Sequence, residues 1–545
     1  MSDTQRSLFI RRAVDVLAAA SALTLAAAFV PAMATPAQVA TSAARANPYF
    51  STVTSTTSGS VKVEGKTIHY HAIAGMILVH AAGWNDATDA YGTGGNSGKA
   101  KQPAESSMFY VAYIKDGTQP NKRPITFLYN GGPGSSSVWL HMGAFGPVRV
   151  LTNGHTHTPA APYQLVNNQY SLLNSSDLVF VDAPGTGYSR VRGPDPAKHF
   201  FGVNQDVHAF SQFITKFLTQ YGRWNSPKYL LGESYGTPRS AALINVLETH
   251  DNVDFNGVIL LSQILNYNAS TGLAQFDPGL DLPYELALPS MTATAWYHHK
   301  LPDSSQPLKP LLAKVEQFAM TDYAQALREG SQLSASKFAA IAAKLHEYTG
   351  LPVAYIEKAN LRIDGGQFEH ELLANQDETT GRLDTRFAGP SMNPLSERAE
   401  YDPQAAAISS AYVSAFNAYV HSDLHYGEGM TYLPEIPLWR TWDFKHHAPG
   451  VSYGFPQALN VMPDLASAMK YDPDLKVMLN GGYFDLATPF YEGIYEMEHL
   501  PMPRKLQANI QYHYYPTGHM IYVHVPSLKT LHDNISAFIA STENQ

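Results

Sequence analysis

One pentapeptide constrains this chain more than any other stretch: Gly-Glu-Ser-Tyr-Gly at positions 232–236. It follows the apolar run 229–231 and precedes residues 238–247, which have the apolar spacing of a helix. This order predicts a strand, a sharp turn and a helix, because the flanking glycines permit a turn that bulkier residues would block. Ser234 would then stand exposed at the turn as a candidate nucleophile.

The pentapeptide alone is equally compatible with an ordinary turn, so the interpretation depends on a later acid and base. Asp485 ends the stretch Asn-Gly-Gly-Tyr-Phe-Asp after the apolar run 477–479, and His519 follows the run 510–514. Ser, Asp, His is the chain order of α/β-hydrolases. His519 would accept the serine proton, and Asp485 would fix the histidine tautomer. The alternatives, a turn aspartate and a structural histidine, do not explain this order.

Compact apolar runs separated by longer stretches predict buried, mainly parallel strands. These runs are 125–129, 178–181, 229–231, 258–261 and 477–479. Several end in glycine-rich turns, at 130–134, 182–187 and 480–482. Because sites in open α/β sheets form at the carboxyl ends of strands, these turns and the serine turn predict one cleft.

The predicted fold class is α/β: an α/β-hydrolase fold, a mainly parallel sheet flanked by helices, with an inserted and mostly helical cap. Helical spacing at 308–325 and 334–348 interrupts the strand-helix alternation and indicates the cap. The predicted organisation is a signal peptide at 1–34, a flexible lead-in at 35–59, the first part of the core at 60–267, the cap at 268–456 and the second part of the core at 457–545.

Composition excludes several classes of protein. The net charge of -9 and the lack of a long Lys or Arg run disfavour nucleic acid as a partner. The chain has no cysteine, which excludes disulfides, thiolate metal sites and a cysteine nucleophile. The histidine pairs do not form a metalloprotease motif and the glycine-rich turns do not match a P-loop, so we expect no metal and no cofactor.

The N-terminus predicts export. Arg6, Arg11 and Arg12 precede an apolar run at 16–30, and Ala-Met-Ala at 32–34 fits a signal peptidase. The run is short for a membrane span, which needs about 20 residues, so we expect no stable membrane insertion after cleavage, although an uncleaved anchor is the alternative. The predicted location is periplasmic or secreted, by Sec or twin-arginine export.

Five sequence blocks, in order, resemble the serine carboxypeptidase family, peptidase family S10. They are 130–136, 182–189, 232–236, 480–485 and 518–520. The resemblance is to a cysteine-free, bacterial-type member, since Ser135 stands where the family usually has cysteine. It implies Ser234 as nucleophile, Asp485 as orienting acid and His519 as base.

The resemblance also implies an oxyanion hole formed by the N–H groups of Gly132 and Tyr235. In the family, the residues that match Asn130 and Glu233 bind the free carboxylate of the peptide, which makes the enzyme an exopeptidase. A second family glutamate is absent, since Ala144 occupies about its position. The implied partners are therefore peptides with a free C-terminus, and the oligomeric state is left open.

Glu233 adds a hypothesis about pH. A carboxylate beside the substrate carboxylate would repel it, whereas a protonated Glu233 can donate a hydrogen bond. Peptide hydrolysis should therefore be favoured at acidic pH. Two alternatives stay open at this point: an esterase or acyltransferase on the same fold, for which Ala144 leaves room, and a non-catalytic binding protein.

Overall fold

A computed structural model describes residues 47–86, 90–91, 103–272, 278–451 and 458–543. The predicted signal peptide at 1–34, and residues 35–46 of the predicted lead-in, lie outside the described residues. Within the described ranges, no helix combines the length and the apolar character needed to cross a bilayer.

The strands of the described residues are β1 (Ser55–Val63), β2 (Lys66–His80), β3 (Trp84–Asn85), β4 (Ala90–Tyr91), β5 (Glu105–Lys115), β6 (Ile125–Tyr129), β7 (Val148–Val150), β8 (Leu165–Asn167), β9 (Asp177–Val181), β10 (Arg190–Arg192), β11 (Lys228–Glu233), β12 (Gly257–Leu261), β13 (Glu378–Thr380), β14 (Ala388–Pro390), β15 (Lys476–Gly482) and β16 (Ile510–Tyr515). Ten of them form one mixed sheet, in the order β1-β2-β5-β9-β6-β11-β12-β15-β16 with β10 beside β5. The pairs from β9 through β16 are parallel, and the pairs among β1, β2, β5 and β9 are antiparallel.

The α-helices are α1 (Pro196–Phe200), α2 (Val203–Gln220), α3 (Gly236–Thr249), α4 (Leu282–Tyr297), α5 (Leu308–Phe318), α6 (Ala324–Glu329), α7 (Ala335–Thr349), α8 (Val353–Lys358), α9 (Gly365–Glu371), α10 (Pro403–Ser422), α11 (Met462–Tyr471), α12 (Phe490–Glu498) and α13 (Val525–Thr542). Helices α2, α3 and α11 contribute to the apolar cluster on one face of the sheet, and α10 and α13 to the cluster on the other.

The central strands are mostly apolar because both of their faces are covered. Phe127 and Leu230 belong to one apolar cluster, whereas their chain neighbours Leu128 and Leu231 belong to the other. Successive side chains of a strand point to opposite faces, so a continuous apolar run can serve two layers. This architecture confirms the predicted α/β fold class, with its mainly parallel sheet flanked by helices.

Between β12 and α11 the chain leaves the sheet for a mostly helical region. Helices α4 to α10 and the small hairpin of β13 and β14 lie in this stretch. Residues of α4, α5, α7 and α9 share an apolar cluster, which also takes in Leu486 from the loop after β15. The side chain of Leu486, the residue after the predicted acid Asp485, therefore packs into this helical region.

The predicted lead-in extends too far into the chain. Residues 55–59 belong to β1, which pairs with β2 through a hairpin turn at Glu64 and Gly65. The first half of β1 reads Ser-Thr-Thr-Ser-Gly and has exposed positions, so it gives no apolar signal. Backbone pairing to β2 makes this segment a strand. An edge strand with polar, exposed side chains has no apolar pattern from which it could be predicted.

Candidate active site

Ser234 occupies the turn between β11 and α3. Its φ is 59°, in the left-handed region that a non-glycine residue adopts only where the surroundings enforce it. Its N–H donates to the Leu261 carbonyl at 3.0 Å, which ties the turn to the end of β12. Ser234 is partly exposed, while Glu233 and Tyr235 on either side are buried. The turn therefore presents the serine to solvent.

Asp485 and His519 form a buried pair. Nδ1 of His519 lies 2.8 Å from Oδ2 of Asp485. The Asp485 carboxylate also accepts hydrogen bonds from the N–H groups of Ala487 and Thr488, at 2.8 and 3.0 Å, and from the Thr488 hydroxyl at 2.8 Å. These donors fix the carboxylate, which in turn orients the imidazole so that Nε2 is left for other contacts.

The pKa of His519 is raised above its ordinary value. Burial alone would lower it, because removal from water disfavours the imidazolium, but the charge and hydrogen bond of Asp485 oppose burial and prevail with help from Glu233. An imidazole of raised basicity next to a fixed carboxylate is suited to receiving a proton.

Ser234 and His519 line one cavity of about 300 Å³, together with Asn130, Gly132 and Glu233. The structure thus brings together the three residues of the predicted triad and both predicted carboxylate-binding residues. The Ser234 hydroxyl hydrogen-bonds to no residue in the described ranges. Catalytic hydrogen bonds are often long before substrate binds and tighten in the complex.

The predicted oxyanion hole lies beside the serine. In the described structure, the N–H groups of Gly132 and Tyr235 donate to no protein acceptor. The loop after β6 approaches the serine turn so closely that a Cβ on Gly131 would lie 2.3 Å from the Tyr235 nitrogen. Only glycine permits this approach, which leaves two free donors near the nucleophile.

Glu233 and Asn130 sit at the buried end of the cavity. Burial raises the pKa of Glu233 to about 7, against opposing contributions from His519, Tyr522 and Asn130. Its Oε1 accepts from the Tyr522 hydroxyl at 3.2 Å, while Oε2 has no protein partner in the described structure. Asn130 Oδ1 accepts from the Leu140 N–H at 3.1 Å, which fixes the orientation of the amide. A buried carboxyl with one free oxygen can donate to an incoming anion when it is protonated.

Ala144 is fully buried in a short π-helical turn, Leu140–Phe145. Its carbonyl accepts from the Asn168 amide at 2.8 Å. The side chain that hydrogen-bonds to Glu233 is therefore the phenol of Tyr522 and not a second carboxyl group. A phenol can donate to either protonation state of Glu233, whereas a second acid would have to share a proton with it.

Several residues of the site have no recognisable sequence signal. Tyr522 lies three residues after His519 in an unremarkable apolar stretch. Thr488, which donates to Asp485, is one threonine in a polar loop. Asp384 and Arg386 of the helical region contact the histidine loop across more than 130 positions of sequence.

Among the described residues, one group of side chains has metal-ligand geometry. Ligand atoms of Glu64, His532 and Asp533 lie within 4.8 Å of one another. Glu64 is exposed, and Asp533 is already paired with Lys529 at 2.6 Å. None of these residues lines the cavity that holds Ser234.

Comparison with known proteins finds a family whose sequences resemble this chain. A family model described as serine carboxypeptidase matches residues 96–319. Over these residues the sequence is similar to the serine carboxypeptidase family, peptidase family S10. This confirms the resemblance for the three sequence blocks that lie within the matched range, at 130–136, 182–189 and 232–236.

Individual relatives match the chain over short stretches. It is 25% identical over 182 residues to "Serine carboxypeptidase-like 9" of Arabidopsis thaliana, a match that covers 33% of this chain and 40% of the relative. It is 34% identical over 137 residues to a "Carboxypeptidase Y homolog" of Arthroderma benhamiae, which covers 25% of each chain. The matches therefore span less than half of these relatives.

A likeness in fold to one solved structure extends over most of the chain. The structure resembles that of Kex1(delta)p, a prohormone-processing carboxypeptidase from Saccharomyces cerevisiae, with a TM-score of 0.52 and 16% sequence identity. The match covers 87% of this chain and 92% of the other. At this identity the likeness concerns the fold alone, and it agrees with the α/β-hydrolase architecture described above.

Proposed function

We propose that the protein is a serine carboxypeptidase that releases amino acids from peptides with a free C-terminus. The observation that carries this proposal is the position of Glu233, a buried carboxyl with one unpaired oxygen, beside Ser234 in the same cavity. An endopeptidase binds a chain that continues beyond the cleaved bond, so it has no use for a buried carboxyl group that receives a terminal carboxylate. A group that recognises a terminal carboxylate needs such a position.

In the proposed reaction, His519 takes the proton of the Ser234 hydroxyl as its oxygen attacks the last peptide carbonyl. The N–H groups of Gly132 and Tyr235 stabilise the negative oxygen of the tetrahedral intermediate. His519 then gives the proton to the leaving nitrogen, so the C–N bond breaks and the amino acid departs. Water repeats the sequence on the acyl-enzyme, which restores Ser234 and frees the shortened peptide.

The proposed carboxylate site combines Asn130 with protonated Glu233. With a pKa of about 7, Glu233 is mostly protonated under acidic conditions and can donate to the substrate carboxylate. As pH rises through that value, a second negative charge appears next to the substrate terminus and repels it. The proposal thus includes a preference for acidic pH in peptide hydrolysis.

Export forms part of the same proposal. It is supported by the arginines and the apolar run before residue 34, which lie outside the described residues. N-terminal sequencing of the protein recovered from the extracellular or periplasmic fraction is the test. A mature start near Thr35 is the expected result, and an intact N-terminus in the membrane fraction would contradict it.

The decisive experiment for the activity uses one peptide as the free acid and as its C-terminal amide, digested by wild type and by Ser234→Ala at acidic pH and followed by mass spectrometry. We expect single residues to leave the free acid, much faster than any cleavage of the amide, and Ser234→Ala to abolish release. Labelling of Ser234 by a fluorophosphonate without trimming of either peptide would instead indicate an esterase or acyltransferase. No labelling would favour a binding protein.

A further inference from the structure

Arg382 is held in place on the wall of the catalytic cavity. Its backbone N–H donates to Asp402 Oδ2 at 3.0 Å, and its carbonyl accepts from the Leu486 N–H at 3.0 Å. The next residue, Leu383, accepts a hydrogen bond from the N–H of His519 at 2.6 Å. The Cα of Arg382 is therefore fixed relative to the loops that carry Asp485 and His519.

The side chain of Arg382 is not similarly engaged. The residue is exposed, and its guanidinium has no hydrogen-bond or ion-pair partner within the described part of the chain. By contrast, neighbouring Arg386 is buried and paired with Asp384 at 2.6 Å. Arg382 is also the one Lys or Arg side chain among the described residues that line the cavity. A fixed backbone that carries a free cation into a catalytic cavity points to an anionic ligand.

The acids near Arg382 do not neutralise it. Asp402 accepts from the N–H groups of Arg382, Leu383 and Ala405, and it begins α10 as the N-cap. Burial raises the pKa of Glu369 and that of Glu435, which favours their uncharged forms. The guanidinium thus keeps its charge available to a molecule that enters the cavity.

We propose that Arg382 binds a carboxylate of the substrate. This inference rests on the proposed peptidase function and extends it to substrate selection. Two carboxylates could meet it: the C-terminal carboxylate, shared with Asn130 and Glu233, or the side chain of an acidic residue next to the bond that breaks. An arginine offers a fork of N–H donors that fits either one.

Matched dipeptide substrates distinguish the two. We would measure kcat/KM on N-acyl-Ala-Glu, N-acyl-Ala-Gln, N-acyl-Glu-Phe, N-acyl-Gln-Phe and N-acyl-Ala-Phe, all as free acids, at one pH and ionic strength. The enzymes are wild type, Arg382→Gln and Arg382→Lys. The control is Arg440→Gln, which removes the same charge from an exposed arginine outside the cavity lining.

Loss of a charged hydrogen bond predicts a fall of about 10- to 100-fold for Arg382→Gln on the recognised substrates. A fall confined to the Glu-containing member of a pair assigns the side-chain carboxylate. An equal fall on all five dipeptides, with an unchanged rate of Ser234 labelling by a fluorophosphonate, assigns the terminal carboxylate. Arg382→Lys should recover part of the loss, because it restores the charge without the fork.

The inference is overturned if Arg382→Gln leaves kcat/KM unchanged on every dipeptide, or if fluorophosphonate labelling falls as much as peptide release. The second result would mean general damage to the site. If wild type releases no amino acid but is labelled, the proposed function fails, and the same comparison is made on p-nitrophenyl esters of N-acyl-Glu and N-acyl-Gln. A loss restricted to the Glu ester still supports Arg382 as an anion ligand, and equal rates reject it.

Discussion

At the scale of single residues, the chemistry depends on two carboxyl groups in different surroundings. Asp485 accepts hydrogen bonds from the N–H groups of Ala487 and Thr488 and from the Thr488 hydroxyl, and it faces His519. Glu233 is buried against one phenol, and its pKa is about 7. The charges of Glu233 and His519 also act on each other, since His519 lowers the pKa of Glu233 and Glu233 raises that of His519.

Glu233→Gln tests this assignment through pH dependence. In wild type we expect KM for a free-acid peptide to rise as pH increases through about 7, because ionised Glu233 repels the substrate terminus. Glutamine keeps a donor but cannot ionise, so the rise should disappear in the variant. The measurement is KM between pH 5 and 8, with a C-terminal ester as the substrate without a free carboxylate. A rise that persists in Glu233→Gln would assign it to another group.

At the scale of elements, the segment between β13 and β14 connects the helical region to both catalytic loops. Leu383 accepts from the His519 N–H at 2.6 Å, and Thr385 donates its N–H to the Phe484 carbonyl at 2.9 Å. Asp384 accepts from the Gly518 N–H at 3.1 Å. The approach is so close that a Cβ on Gly518 would lie 2.4 Å from the Leu383 carbonyl oxygen. This segment therefore positions the base and the acid together.

Arg386→Lys should loosen that connection. Arg386 pairs with Asp384 through Nε and Nη2, and Nη2 also donates to Thr517 Oγ1 at 2.9 Å. Lysine keeps the charge but cannot form the paired hydrogen bonds to Asp384 and the one to Thr517 together. The loop that carries His519 is then held less firmly. We expect the rate of Ser234 labelling by a fluorophosphonate to fall on the order of 10-fold, since small misplacements of catalytic groups are costly.

The matched control is Arg362→Lys. Arg362 forms an equivalent fork with Asp281 in the helical region, at 2.7 and 3.0 Å, and contacts neither catalytic loop. Arg386→Lys should lower the free energy of unfolding more than Arg362→Lys, because the pair of Arg386 and Asp384 is the more buried one, and Arg362→Lys should leave labelling unchanged. Equal effects of the two variants on labelling would mean that the role of Arg386 is only structural.

A second prediction concerns the support of the glycine-rich loop. Arg239 is fully buried, pairs with Asp206 at 2.6 Å and donates to the Asn130 carbonyl at 2.7 Å. Arg239→Met leaves the Asp206 charge buried without a partner, which typically costs about 3–5 kcal/mol of unfolding free energy. Urea denaturation measures this, with the exposed pair of Lys344 and Glu347 as reference. Lys344→Met should cost less than about 1 kcal/mol.

The same elements show which parts of the fold and the site can be predicted from the sequence. The runs at 125–129 and 258–261 are almost entirely apolar because both faces are buried, so they stand out as strands. The start of β1 does not, because its Ser and Thr side chains lie at a sheet edge. The contacts of Asp384 with Gly518 and of Tyr522 with Glu233 depend on how distant loops meet. No local sequence pattern predicts these contacts between distant loops. The serine turn, the acid and the base can be predicted because each follows a recognisable strand.

At the scale of the whole molecule, stability should depend on pH through groups remote from the cavity. Glu248 at the end of α3 is fully buried, and neither of its oxygens has a partner in the described structure. Burial, with added repulsion from Asp472 and Asp254, raises its pKa to about 9. In the unfolded chain it would titrate near 4.5. The folded protein therefore holds a proton that the unfolded chain releases between these two values.

The stabilisation that this proton gives the folded protein is fully present below about pH 4.5, and it is lost as pH rises toward 9. The maximal slope is about 1.4 kcal/mol per pH unit. Glu248→Gln cannot ionise, so it should match wild type at pH 4.5 and exceed it in unfolding free energy by on the order of a few kcal/mol at pH 7.5. Urea unfolding at both pH values measures this. Glu357→Gln, at an exposed position of α8, is the control and should give no pH-dependent gain. An equal difference between wild type and Glu248→Gln at the two pH values would mean that the pKa of Glu248 is not raised in the folded protein.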